Sequence, residues 1–229
     1  MLFVTGDVHA DLFEFLGRRE FKKTDTVVVC GDWGIPFLES ERKLDQYKLD
    51  YLRKNGPIVL VVLGNHENHD VVCDLPVEDR FGGPVRVVSD NVAYLQNGHR
   101  YEIDGKSVFA FGGAASTDRA ERLYRERYIV CEKLWWAQEL PSVEDYKIAR
   151  QTLKECNHKV DLIVSHVAPK SLRAFLTKDC PREEHRLTEF LEELFHTVEF
   201  DSWFCGHYHV DRVIGSNFFA TCKYVHRIE

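Results

Sequence analysis

No window of this 229-residue sequence approaches the ~18 consecutive apolar residues of a membrane helix. The apolar run Met1–Thr5 is too short for a secretory signal before Gly6-Asp7 interrupts it. These absences point to a cytoplasmic protein with no membrane partner. Cys-x-x-Cys pairs are also missing. The seven cysteines are odd in number and scattered, which argues against a zinc ribbon or a disulfide framework and fits free thiols in a reducing compartment. Nor is there an excess of positive charge. With 30 Lys and Arg against 37 Asp and Glu, a net −7, the chain lacks the basic face that nucleic-acid scaffolds use to neutralise phosphates. A small phosphorylated substrate stays open, because bound divalent cations would supply positive charge locally. Prolines are few, at seven, and no repeat, low-complexity tract or linker divides the chain. Residues 1–229 are therefore expected to form a single domain, and nothing in the sequence sets its oligomeric state.

What is present is an alternation of short apolar runs and amphipathic stretches. Leu2–Thr5, Thr26–Cys30 and Ile58–Leu63 read as buried strands. Asp11–Glu20 and Glu39–Asn55 read as the helices between them, the second with Leu44, Tyr47, Tyr51 and Leu52 on one face. Strand–helix alternation implies right-handed crossovers and parallel pairing. From Val85 to Phe111 four short strand-like runs are separated by Ser-Asp-Asn, Asn-Gly and Asp-Gly, which predicts antiparallel hairpins in a second sheet. Residues 112–139 are charge-rich and give no clear element. Ser142–Asn157 is a helix opened by the capping box Ser142-Val-Glu-Asp145, and His185–His196 is a second. Asp161–Ser165 and Ser202–Cys205 are strands, and the tail Phe218–Ile228 is expected to close a sheet edge.

Five turns share one grammar, in which a strand ends and a Gly or Ser introduces Asp, Asn or His. They are Gly6-Asp7-Val8-His9, Gly31-Asp32-Trp33-Gly34, Gly64-Asn65-His66-Glu67, Ser165-His166-Val167-Ala168-Pro169 and Gly206-His207-Tyr208-His209. Five of the eleven histidines fall in them. In an open α/β sheet such turns meet in the crevice beyond the carboxyl ends of the strands. Imidazole nitrogen with carboxylate and amide oxygen, and no thiolate, suits Mn, Fe, Zn and related ions. Two ions roughly 3.5–4 Å apart clamp a phosphate and need a bridging carboxylate.

The order Asp-x-His, Gly-Asp, Gly-Asn-His-Glu, a later His, then Gly-His-x-His resembles the calcineurin-like metallophosphoesterase superfamily, from Asp7 to His209. The resemblance implies an α/β fold of two mixed β-sheets packed as a sandwich and flanked by helices. It also implies two divalent or trivalent metal ions, Mn with Fe or Zn as alternatives. Asp7, His9 and His209 would hold one ion, Asn65, His166 and His207 the other, and Asp32 would bridge. His66 would face the substrate, and a metal-bridging hydroxide would be the nucleophile on a phosphomonoester or phosphodiester. Glu67 is read as fixing its turn. Protein-phosphatase relatives extend the second motif as Gly-Asp-x-x-Asp-Arg-Gly, whereas Ile35 and Pro36 stand at the Asp and Arg positions here. A partner for His66 and a phosphate-binding arginine are thus missing from that motif.

Arg119 and Arg122, in a charged segment after Gly112-Gly113, are candidates for substrate contact beside Asn65, against the blander expectation of a solvated helix. Trp33 and Trp135-Trp136 are read as packing. His69, His99, His158, His185, His196 and His226 are read as ordinary surface or core residues, with His69 the closest to a motif. Two alternatives stand beside hydrolysis of a small phosphoester: a nuclease on DNA or RNA, and a non-catalytic member that uses the fold to bind protein.

Overall fold

A computed structural model describes residues 1–179 and 181–229; Cys180 lies outside the described residues. In chain order the elements are β1 (Leu2–Thr5), α1 (Leu12–Gly17), β2 (Thr26–Val29), α2 (Arg42–Asn55), β3 (Ile58–Val61), α3 (His69–Asp74), β4 (Val77–Arg80), β5 (Gly83–Ser89), β6 (Val92–Leu95), β7 (His99–Ile103) and β8 (Lys106–Phe111). There follow α4 (Arg119–Arg125), α5 (Val143–Glu155), β9 (Leu162–Ser165), α6 (Lys170–Arg173), α7 (His185–Thr197), β10 (Ser202–Cys205), β11 (Arg212–Ile214), β12 (Phe218–Ala220) and β13 (His226–Arg227).

The strands form two mixed sheets, ordered β13-β1-β2-β3-β6-β5-β4 and β11-β12-β10-β9-β8-β7. In the first, β1, β2, β3 and β6 are parallel; in the second, β8, β9, β10 and β12 are. Alternation along each strand builds three packed interfaces. Val4, Val28 and Leu60 meet Val108, Leu162 and Phe204 between the sheets. Phe3, Val27 and Val59 turn outward under Leu12, Phe15, Leu49 and Leu52. Phe109, Ile163 and Trp203 turn the other way under Ala149, Leu187 and Leu191. Strands covered on both faces are apolar at both parities, which is why they read as unbroken runs. Each such side chain contributes about 1.5–3 kcal/mol by leaving water. Of the described helices, none is long and apolar enough to cross a membrane.

Several expectations are corrected. The antiparallel portion does not lie in one sheet: β5 pairs antiparallel with β4 on one side and β6 on the other in the first sheet, and only β7 and β8 enter the second. Asp104 (φ 50°) and Gly105 (φ 80°) make the β7–β8 hairpin turn. Asn97-Gly98 instead carries the chain between sheets, with Gly98 packed on the backbone of Ala149. The stripe Leu44, Tyr47, Tyr51 is exposed, and α2 buries Asp45, Leu49 and Leu52. The first helix is shorter, running over Leu12–Gly17. Short α3, β4 and β11 carried too few periodic residues to be read. The capping box of Ser142 and Asp145 is present, and β13 closes the edge beside β1.

Candidate metal centre

The five turns all follow parallel strands, so β1, β2, β3, β9 and β10 deliver Asp7, Asp32, Asn65, His166 and His207 to one edge. The glycines before three of these residues leave room for a neighbouring turn. A Cβ on Gly64 would collide with Asp32 Oδ1, and one on Gly206 with Asp7 Oδ1. The Gly-ligand grammar is thus a packing requirement at Gly31, Gly64 and Gly206, which lie against His166, Asp32 and Asp7 of other turns.

Two groups of ligand atoms result, each with its atoms within 4.8 Å of one another: Asp7, His9, Asp32 and His209, and Asp32, His166 and His207. Asp32 belongs to both. Its main-chain oxygen accepts from Val8 N (2.9 Å) and His9 N (2.8 Å). Its Oδ1 accepts from Asn65 N (2.9 Å) and His66 N (2.8 Å) and lies 3.2 Å from His166 Nε2. Asp32 sits at φ 53°, a left-handed conformation held by these contacts. Asn65 Oδ1 lies 3.2 Å from His166 Nε2, beside the second group.

Asp7 Oδ2 is buried and accepts no well-directed hydrogen bond, although His209 Nε2 lies 3.2 Å away. His9 Nε2 and His209 Nε2 approach to 2.9 Å. Nitrogens and an oxygen converging in this way, with a buried oxygen left unpartnered, fit ligands arranged around a cation. Burial would push Asp32 up, but the adjacent His166 imidazolium outweighs it and holds the carboxyl well below the usual range. Burial likewise opposes charge on His166, and the Asp32 carboxylate carries it to about 10. Burial, reinforced by the His166 charge, takes His207 to about 4.

Of the predicted substrate contacts, Arg122 reaches the site and Arg119 does not. Arg119 stacks over Trp135, 3.9 Å from the ring centroid, and is exposed. Arg122 is buried on α4 and donates to Asn65 O (2.9 Å), Asp118 Oδ1 (2.8 Å) and His66 Nε2 (2.7 Å). The solvated-helix expectation therefore fails at this residue. A guanidinium only donates, so His66 Nε2 is an acceptor here and the ring proton sits on Nδ1. Burial, with the Arg122 charge adding to it, lowers His66 to about 4. The departing motif contributes an apolar wall instead of Asp and Arg: Ile35 is buried, and Phe37 lies 6.4 Å from the His66 ring centre. Trp33 and Trp136 are buried in packing, and His69 stays behind the site with Nε2 3.2 Å from Gly64 O.

Of the groups that support the ligand turns, Glu67 was read from the sequence and Arg18 was not. Glu67 does fix its turn, accepting from Gly64 N and Trp33 N, both at 3.0 Å, and thereby ties the Asn65 turn to the Asp32 turn. Burial first, then the Asp32 charge, raises it to about 8. Arg18 was not singled out. It donates to Thr5 Oγ1 (3.0 Å), Gly6 O (3.2 Å), Asp7 O (2.6 Å) and Cys222 O (2.9 Å), and pairs with Glu14 at 2.8 Å. Its one signal is that it prolongs the buried stripe Leu12–Phe15 with a charge. Arg18→Ala strands these carbonyls, so denaturant unfolding should show a loss of about 3–5 kcal/mol. Mn titration should show binding weakened about 10–100-fold, as expected when an outer support of a ligand turn is lost. An unchanged midpoint and affinity would show that the turn stands without it.

No curated protein matches the chain. Among solved structures, that of the phosphopantetheinyl hydrolase PptH from Mycobacterium tuberculosis superposes with a TM-score of 0.50 at 17% identity, covering 96% of this chain and 87% of that one. That likeness is one of fold. The calcineurin-like phosphoesterase family matches residues 2–211, from β1 through the last of the five turns. Proteins of that family generally use two divalent metal ions, and the chain presents two groups of Asp and His where they are needed. The chain belongs to the calcineurin-like phosphoesterases and is a metal-binding phosphoester hydrolase of that family.

Proposed function

We propose that the chain hydrolyses a small phosphomonoester or phosphodiester with a dinuclear centre, and the observation that carries this is Asp32, common to both groups of ligand atoms. Asp7, His9 and His209 would hold one ion, Asn65, His166 and His207 the other, and Asp32 would serve both. Mn suits this donor set, with Fe or Zn as alternatives. Two bound ions supply positive charge at the phosphoryl oxygens and lower the pKa of a coordinated water.

The chain's own groups do the rest. Arg122 donates to a phosphoryl oxygen through the N–H groups that now meet His66, and Asp118 keeps the guanidinium oriented. Once Arg122 has turned to the substrate, His66 Nε2 is free to face the reacting group. Phe37, backed by the buried Trp136 ring 5.7 Å away, walls that side with apolar surface. The opposite side, where the His209 side chain is 60% exposed, stays open for the leaving group.

Elemental analysis of protein purified without added metal, followed by a panel of mono-, di- and cyclic phosphoesters with Mn, tests the reading. Two equivalents of metal and Mn-dependent hydrolysis are expected. Full activity in stripped protein, or two bound ions with no hydrolysis of any ester, overturns it. Activity on diesters alone removes the monoesterase half.

A further inference from the structure

Residues 112–139 hold a second, buried network that the metal ligands do not explain. Glu139 is 4% exposed, yet its carboxylate accepts from Ser116 N (3.0 Å), Ser116 Oγ (2.5 Å) and Trp135 Nε1 (3.0 Å). Ser116, also buried, is in turn 3.4 Å from Asn65 Nδ2. The strap is pinned to the end of β3, to its own far end and to the start of α7. Gly113 N donates to Leu63 O, Ala114 N to Glu139 O, and Ala115 N to Glu184 Oε1.

We infer that Glu139 and Ser116 are positioning residues which fix the orientation of the Asn65 amide, and so decide which of its two ends faces the metal centre. A serine hydroxyl has one proton, and an ionised carboxylate only accepts. Ser116 must therefore spend its proton on Glu139, and toward Asn65 it presents lone pairs alone. Only the NH₂ end of the amide can approach such a group. Asn65 Oδ1 is then driven to the other side, where it lies 3.2 Å from His166 Nε2. Without the relay either amide end could face Ser116, and with the amide turned over a metal ion would meet an N–H₂ group that cannot ligate it. The inference rests on Asn65 being a ligand of the second ion. It explains why a carboxylate is buried at Glu139, far along the chain from any of the five turns.

Ser116→Ala removes the acceptor and leaves the Glu139 cage with its backbone donor and Trp135. Isothermal titration of metal-stripped protein with Mn should resolve two classes of site. The class assigned to Asn65, His166 and His207 should weaken about tenfold or more in Ser116→Ala, the scale on which outer-shell partners act. The class assigned to Asp7, His9 and His209 should be unchanged. Electron paramagnetic resonance should show the exchange-coupled pair giving way to isolated Mn at equal loading. Ser116→Thr, which keeps the hydroxyl, should restore both readouts. Ser116→Ala in an Asn65→Ala background should cost nothing more, since the serine acts only through the amide. Equal weakening of both classes, or no weakening of either in a variant that melts like the wild type, overturns the inference. A wild-type chain that binds no Mn pair instead overturns the dinuclear reading on which it rests.

Discussion

Asp32→Asn should leave a folded protein that no longer holds a metal pair, with turnover reduced by on the order of 10³-fold, since a charge placed at the reacting group is worth at least 10²–10³ where it has been removed elsewhere. The substitution is nearly isosteric. Asparagine can present its amide oxygen to Asn65 N and His66 N, the two donors that Asp32 Oδ1 now serves. Its backbone contacts to Val8 and His9 are untouched. What it cannot present is a second anionic oxygen. That side of the carboxylate, Oδ2, lies 3.9 Å from His9 Nε2, in the group that contains Asp7 and His209. Loss of one equivalent of metal by elemental analysis, with circular dichroism and melting retained, is the expected pattern. Asp32→Ala is the less informative change, because each of the two stranded N–H groups would cost about 1–3 kcal/mol and confuse folding with ligation. A variant at Asp32 that keeps two ions and normal turnover would mean that another group bridges them.

Much of this site was legible before any coordinate, for a physical reason. A ligand that leaves a parallel strand must be preceded by a residue small enough for the neighbouring turn, so Gly64 and Gly206 advertise the geometry locally. The β1, β2 and β3 strands were equally plain, because two covered faces force both parities to be apolar. Arg122 carried no such mark. A charged helix reads as solvated, and only the packing of residues 112–116 against the strand ends turns one of its arginines inward. The same blindness produced the opposite error on α2, where Leu44, Tyr47 and Tyr51 have helical spacing but face solvent, while Asp45 is buried at 2% exposure. Periodicity reports that a stripe exists and says nothing of which side of the helix the sheet will take. Arg18, Ser116 and Glu139 are harder still. Their contacts lie with main-chain carbonyls and with residues tens of positions away, and no spacing rule reaches those.

The segment that defied the sequence reading carries the other large expected effect. Arg122→Ala should lower kcat/KM by about 10²–10³-fold while both metal equivalents remain bound, because a charge-assisted contact to the phosphoryl group is lost and the one ligand residue it meets, Asn65, is held through its main-chain oxygen and not its amide. Arg122→Lys should recover only part of this, since an ammonium is a point charge without the planar fork. Two features make the guanidinium more than a structural tie. Asp118, at 46% exposure of its side chain, is a partner it can keep while swinging, and His66 Nε2 is a contact it must give up before that nitrogen can meet a substrate. Removing Arg122 also opens a hole over Asn65 O, so some stability is lost in either variant. The discriminating comparison is therefore between alanine and lysine at matched melting temperature, with turnover on the best phosphoester and Mn content measured together. The role as phosphate clamp predicts falling turnover at constant metal. Metal content falling in step with turnover would instead make Arg122 a buttress of the Asn65 turn, and turnover within twofold of the wild type in both variants would remove it from the chemistry altogether. Only the first outcome supplies one of the two groups that Ile35 and Pro36 leave out, a guanidinium for the phosphate, delivered from a different part of the chain.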